Sequence, residues 1–125
     1  MTVVIDTSVI IDVLRGHAAA AAVLRDARSE GLLHASEITR LEVLAGMRAG
    51  EERATRSLLD AFVWHPLDVQ LAELAGELGR QWLPGNRGID AADLAIAATA
   101  TFLRAELLTM NVKHFPMIVG LSAPY

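Results

Sequence analysis

The chain has 125 residues, of which 53% are hydrophobic, 21% charged and 5% aromatic. This length suits one domain with a sizeable core, and the composition excludes a disordered or collagen-like chain. The absence of cysteine excludes disulfides, thiolate-ligated metals and iron–sulfur sites, and a net charge of −4 excludes a broadly basic nucleic-acid coat.

Short apolar runs alternate with longer helical patterns along the chain. The β-branched run 3–5 is typical of a buried parallel strand, and Ser36 is a good N-cap for the helix that follows the second strand. Strands are predicted at 3–5, 32–35, 63–67 (an edge strand because of Pro66), 107–109 and around 118–119. Helices are predicted at 9–14, 18–28, 37–44, 51–61, 69–82 and 91–103, and a loop at 110–114.

This alternation predicts an α/β fold, a three-layer sandwich with a mainly parallel central sheet, formed by a single domain over residues 1–125. No segment approaches the roughly 20 apolar residues that span a bilayer. The first residues also lack the basic region of a signal peptide. We therefore expect a soluble cytoplasmic protein that makes no membrane contact.

Two carboxylates stand where the pattern predicts burial. Asp6 follows the first strand at its carboxyl end, where open α/β sheets bind ligands, although a turn or a helix cap would also suit aspartate. Glu42 belongs to a stripe with Ile38, Leu41 and Ala45 that should face the core. Because burying an unpaired carboxylate costs several kcal/mol or more, Glu42 needs a cation or an arginine partner.

The helix over 91–103 and the fourth strand bring further polar groups to the same edge. Asp90 and Asp93 lie at the start of a very apolar helix, where capping explains Asp90 well and Asp93 less well. Asn111 follows the fourth strand. The hydroxyl groups near this edge belong to Thr7, Ser8 and Thr109.

Carboxylates gathered at one edge repel each other unless a cation lies among them. Oxygen ligands of this kind suit Mg²⁺ or Mn²⁺, whereas the four scattered histidines show no zinc-type spacing. Two such cations can activate water and stabilise both oxygens of an in-line phosphoryl displacement. The pattern therefore indicates phosphodiester hydrolysis.

Four segments carry a resemblance to a known family: Asp6-Thr7-Ser8, residues 36–46, residues 93–100 and residues 109–115. In this order they resemble the PIN-domain ribonucleases, and most of all the VapC-type toxins of type II toxin–antitoxin pairs. The resemblance implies a Mg²⁺- or Mn²⁺-dependent endoribonuclease with an RNA substrate, a homodimer, and inhibition by a small cognate antitoxin. It also assigns Asp6, Glu42 and Asp93 to the acidic centre, Asn111 to orienting the loop, water or substrate, and Ser8 to supporting Asp6.

One position departs from the family pattern. Relatives often carry a further aspartate three residues after the loop asparagine, and here that residue is His114. A fourth carboxylate must then come from Asp90 or is absent, which puts a two-metal site in doubt and leaves one tightly held ion possible. His114 could instead contact phosphate, pack locally or face solvent.

Three other functions compete with this interpretation. An aspartyl-phosphate phosphatase needs a second acid two residues after Asp6, where Ser8 stands, and a receiver domain places its acceptor aspartate on a middle strand. A non-catalytic PIN-like module that binds RNA or protein stays open, because a sequence cannot demonstrate turnover.

Overall fold

A computed structural model describes all residues, 1–125, and contains a parallel sheet of four strands in the order β3-β2-β1-β4. The predicted α/β class with a parallel sheet is therefore confirmed. The strands are β1 Val3–Ile5, β2 Leu33–Ser36, β3 Phe62–His65 and β4 Glu106–Leu108. The helices are α1 Thr7–Leu14, α2 Ala18–Glu30, α3 Glu37–Ala45, α4 Glu52–Leu59, α5 Val69–Trp82 and α6 Ala91–Leu103, and a 3₁₀ turn spans Val112–His114.

The register of β1 explains why polar residues collect at one edge. Val3 pairs with Leu33 of β2 on one side and with Glu106 of β4 on the other, always in parallel. All four strands therefore end at the same edge of the sheet. β3 pairs with β2 alone, so the predicted edge position is confirmed, although the strand ends at His65 and does not include Pro66 as predicted.

Helices cover both faces of the sheet, because each strand alternates its side chains between two apolar layers. Ile5, Ile10 and Leu59 belong to the core on the side of α1, α2 and α4, whereas Val4 and Ile96 belong to the core against α6. α6 is buried continuously from Asp93 to Ala100, since α5 packs on its outer side. No single helix is long and apolar enough to cross a membrane. The consecutive helices α1 and α2, which are bent by 119° relative to each other, would together be long and apolar enough on length and composition alone.

Two glycines of α5 provide a test of this packing. A Cβ added at Gly79 would lie 3.0 Å from Leu94 Cδ1 of α6, whereas one added at Gly76 would meet nothing within 4 Å. We expect Gly79→Ala to destabilise the fold by about 1–3 kcal/mol through overpacking. Gly76→Ala is the matched control and should stabilise it by up to about 1 kcal/mol through helix propensity. Urea unfolding of both variants measures the difference, and equal effects would contradict the close α5–α6 contact.

Two sequence predictions about packing are wrong. The inward stripe of α3 contains Thr39 and Val43, whereas Leu41 is 61% exposed, because α3 docks through a face rotated from the predicted one. No terminal strand forms around 118–119: Ile118 N–H donates to Phe115 O in a turn at 3.1 Å, since the nearby Pro116 and Gly120 favour turns over strand pairing.

The histidines are also less scattered than the sequence suggests. His34 of β2 and His65 of β3 come together across the parallel pair, with 2.8 Å between His34 Nδ1 and His65 Nε2. Burial, and to a smaller extent the nearby His65, lower the pKa of His34 below its ordinary value. The contact ties the edge strand to its neighbour.

Candidate active site

The carboxyl edge of the sheet brings together side chains that are far apart in the sequence. Asp6 continues β1, and its N–H donates to Leu108 O at 2.9 Å, so Asp6 stays beside the end of β4. α6 leads into β4 and runs back along the sheet in the opposite direction, which puts its first turn at this same edge. α3 begins there as well, directly after β2. The topology therefore supplies acidic residues from three different helices and strands.

Asp6 is 3% exposed and is held by hydroxyl groups. Its Oδ2 accepts hydrogen bonds from Thr109 Oγ1 at 2.6 Å and Ser8 Oγ at 2.8 Å. Asp6 is the N-cap residue of α1, yet its side chain makes no capping hydrogen bond. The alternative of a helix cap therefore does not account for this carboxylate. Oδ1 accepts no hydrogen bond from the protein.

Glu42 is half-buried in α3 and has no arginine partner, since Arg40 pairs with Glu37 instead. Its Oε1 accepts a hydrogen bond from Thr7 Oγ1 at 2.7 Å. Its Oε2 accepts none from the protein. The arginine partner that the sequence left open for Glu42 is therefore absent, and the core stripe through Leu41, from which its burial was predicted, is wrong.

Asp93 is 8% exposed and forms a capping box with Asp90. Asp93 Oδ2 accepts from Asp90 N–H at 3.1 Å, and Asp90 Oδ1 accepts from Asp93 N–H at 2.8 Å. Burial, and to a smaller extent the Asp90 charge, raise the pKa of Asp93 to about 6, while the Asp90 N–H bond and His114 act in the opposite direction. Asp90 itself is exposed and has the capping role that its position suggests.

Residues 3–116 match the family model described as PIN domain. The chain belongs to the PIN domain family. Ribonuclease VapC19 of Mycobacterium tuberculosis is 43% identical over 122 residues, which cover 97% of this chain and 98% of that protein. Ribonuclease VapC10 of the same species is 37% identical, with 98% and 92% covered. A toxin–antitoxin complex from Klebsiella pneumoniae superposes with a TM-score of 0.81 at 29% identity, with 99% and 98% covered.

The donor chemistry of this PIN domain fits a hard divalent cation. Asp6, Glu42 and Asp93 each engage one oxygen with a neighbour and leave the other without a hydrogen bond from the protein. None of the three pairs with lysine or arginine. Free carboxylate oxygens are the ligands that Mg²⁺ and Mn²⁺ prefer. No three acidic or histidine side chains are placed to ligate one ion as they stand, so binding requires side-chain adjustment.

Thr39 is the residue that sequence analysis did not single out. It is fully buried in α3, and its Oγ1 lies 3.0 Å from Thr7 Oγ1. Because Thr7 has a single hydroxyl hydrogen, donation to Glu42 requires Thr39 to donate to Thr7. Thr39 and Glu42 are three residues apart on one helix and therefore lie on the same face. This spacing is the sequence feature that could have indicated Thr39 as a site residue.

The loop after β4 positions the remaining candidates. Asn111 is exposed, and its N–H donates to Thr109 Oγ1 at 3.0 Å, which ties the loop to the hydroxyl group that holds Asp6. The Asn111 side chain makes no hydrogen bond and stays available to water or substrate. His114 Nδ1 lies 3.2 Å from Asp93 Oδ2. The departure from the family pattern therefore falls within the acidic centre.

Proposed function

We propose that this chain is a divalent-cation-dependent endoribonuclease and the toxin of a toxin–antitoxin pair. The observation that carries the proposal is the set of three carboxylates, on Asp6, Glu42 and Asp93, that have free oxygens but no lysine or arginine partner. A protein that gathers such groups without neutralising them lowers its own stability unless a ligand compensates. The identity to relatives named ribonucleases supports RNA as the substrate.

Each residue has a distinct part in this proposal. Hydrogen bonds from Ser8 and Thr109 fix the orientation of the Asp6 carboxylate, and a hydrogen bond from Thr7 does the same for Glu42. Asp93, whose pKa is raised to about 6, is still ionised at neutral pH. Asn111 offers an amide for water or for the RNA backbone. Bound Mg²⁺ or Mn²⁺ supplies positive charge that activates water and stabilises charge on the phosphate.

The sign of the charges makes the cation necessary for substrate binding as well. The protein has a net charge of −4, and its proposed centre adds three local anions. An RNA phosphate approaching these carboxylates is repelled until a divalent ion offsets them. We therefore expect RNA binding at this edge to depend on the cation.

The partners follow from the relatives. A structure similar to this chain is a toxin–antitoxin complex, which supports a small cognate antitoxin as the partner. We further propose that the antitoxin inhibits the enzyme and that the chain forms a homodimer in the cytoplasm. Expression of the chain alone should arrest growth, and co-expression of the small protein encoded beside it should restore growth.

Cleavage of total RNA tests the proposal. We expect the purified protein to cut RNA in the presence of Mg²⁺ or Mn²⁺, to lose this activity with EDTA and to regain it when metal is restored. Mapping of the ends should show 5′-phosphates and 3′-hydroxyls. Cleavage that continues unchanged in EDTA would contradict the metal dependence, and the absence of cleavage under every condition would contradict the enzymatic function.

A second candidate is supported by one observation. Because no three acidic or histidine side chains are placed to ligate an ion as they stand, a non-catalytic PIN-like module that binds RNA or protein has a structural argument. Such a module would bind RNA without producing new ends, so the same mapping experiment separates the two functions.

A further inference from the structure

The contact between His34 and His65 has no part in the proposed function, and its chemistry makes it sensitive to pH. His34 Nδ1 lies 2.8 Å from His65 Nε2, so one ring donates a hydrogen and the other accepts it. The other two ring nitrogens, His34 Nε2 and His65 Nδ1, bond to no protein group, and both reach solvent because no buried side-chain nitrogen lacks a partner. The pair can therefore take up a first proton at an outer nitrogen and keep its N–H···N bond.

A second proton cannot be added to the pair without breaking this bond. When both imidazoles are protonated, all four ring nitrogens carry hydrogen and neither ring can accept. Two positive charges then also face each other. Burial and the charge on His65 both lower the pKa of His34, so His34 takes up its proton below the ordinary value of 6.5.

No carboxylate near the pair offsets this effect. Neither His34 nor His65 forms an ion pair, and among the histidines His114 alone lies against a carboxylate. The charge of His65 is the only one that shifts the pKa of His34. The charged residues of the elements that adjoin β2 and β3 are engaged elsewhere or exposed: Glu37 pairs with Arg40 and Glu42 with Thr7 on α3, Asp68 with the Leu71 N–H at the start of α5, Asp90 with Asp93 at the start of α6, and Glu73, Glu77 and Arg80 of α5 are exposed.

The carboxyl end of β3 is the part of the sheet that depends on the histidine contact. β3 pairs only with β2, and its register ends with His65 opposite Ser36. The earlier part of the strand is anchored independently, since Phe62 is 8% exposed in the core and Trp64 Nε1 donates to Leu59 O at 2.9 Å. Residues 66–68, which lead to α5, are exposed. Loss of the contact should therefore loosen the end of β3 and leave the rest of the sheet paired.

We propose that His34 and His65 form a pH-sensitive clasp, which holds the carboxyl end of β3 on β2 while at least one imidazole is neutral and opens when both are protonated. Below pH 6.5 the open form binds more protons than the closed form, so opening becomes more favourable as the pH falls. Well above this value both forms bind the same number, and the clasp stays closed. The titration of Asp93 acts in the opposite direction, because protonation of its buried carboxyl group removes a cost from the metal-free fold.

Amide hydrogen exchange of the metal-free protein between pH 7.5 and pH 5, corrected for the intrinsic exchange rate at each pH, tests the clasp. We expect segment 62–67 to lose protection by up to about tenfold for each pH unit below 6.5, the dependence that one proton produces, while β1 keeps its protection. His65→Gln should protect this segment equally at every pH, because a glutamine amide can donate to neutral His34 or accept from its protonated form. His34→Gln should behave in the same way.

His17→Asn is the matched control for these variants. It removes an exposed histidine from the chain but keeps the side-chain cap of α2, because asparagine caps helices well. Its exchange in segment 62–67 should follow that of the wild type at every pH.

Wild-type protection of segment 62–67 that does not change with pH would overturn the inference. An equal loss of protection in β1 would overturn it as well, because the whole sheet rather than its edge would then be opening. A pH-dependent loss that persists in both glutamine variants would place the responsible group elsewhere, with the same consequence. A loss confined to segment 62–67 in the wild type and in His17→Asn, and absent from either folded glutamine variant, would support the clasp. None of these results bears on RNA cleavage, so the proposed function is tested separately.

Discussion

Asp6→Asn is expected to lower RNA cleavage by at least about 100-fold, the scale on which removal of one charged group at a reaction centre acts. Asparagine keeps the shape of the side chain and an oxygen that can accept from Ser8 or Thr109, but it removes the negative charge that attracts a cation. The loss should therefore appear in the rate and not in the fold. Single-turnover cleavage of a labelled RNA, with saturating Mn²⁺, measures it.

The control for this variant is Asp60→Asn, which makes the same charge change at an exposed residue at the end of α4. It should cleave at the wild-type rate. The melting temperatures of both variants are compared with that of the wild type. If Asp6→Asn kept more than a tenth of the wild-type rate under these conditions, Asp6 would have no place in the catalytic centre.

Asp93→Asn is expected to have opposite effects on the metal-free and the metal-loaded protein. The pKa of Asp93 is raised to about 6 from an ordinary value of 3.8, so the folded state binds more protons than the unfolded state between these values. Stability therefore falls as pH rises through this window, and the cost is fully present above pH 6. Removing the charge should stabilise the metal-free protein at pH 7.5 by about 1–2 kcal/mol.

The metal reverses this gain. At a concentration 100 times its Kd, an ion that binds only the folded state stabilises the wild type by about 2.7 kcal/mol. Asp93→Asn lacks one of the proposed ligands, so Mn²⁺ should stabilise this variant much less than the wild type. Thermal melts with and without Mn²⁺, at pH 7.5 and pH 4, test both effects, because the metal-free difference should largely disappear at pH 4, where Asp93 is protonated in the fold.

Asp68→Asn is the matched control for these melts. Asp68 caps α5 in an exposed position, accepting from Leu71 N–H at 2.9 Å, and asparagine caps equally well. Its response to Mn²⁺ should equal that of the wild type. A metal-free Asp93→Asn protein that is less stable at pH 7.5 than the wild type would show that the charge on Asp93 costs nothing in the fold.

Local patterns in the sequence were sufficient for the parallel α/β architecture. The β-branched run of β1, the edge position of β3 ahead of Pro66 and the apolar length of α6 are properties of short segments, and each predicted element corresponds to one in the structure except the strand around 118–119. Asp6 could be identified as a candidate for the same reason, since a carboxylate directly after a buried strand lies at the edge where ligands bind.

Glu42 illustrates what local sequence patterns cannot predict. The sequence predicted a core-facing carboxylate that needs a cation or an arginine partner, but the assumed stripe through Leu41 was wrong, because the face that α3 buries depends on how it docks beside α1. Helical periodicity sets which residues share a face and leaves the rotation of the helix undetermined.

The sequence by itself therefore determined the order of strands and helices and the chemical character of the acidic centre, because propensity, periodicity and capping act over a few residues. The tertiary structure alone decided the contacts of Thr39 with Thr7 and of His114 with Asp93, as well as the raised pKa of Asp93. Those properties depend on distances and burial between residues separated by up to tens of positions in the chain, and such distances exist only once the helices have packed on the sheet.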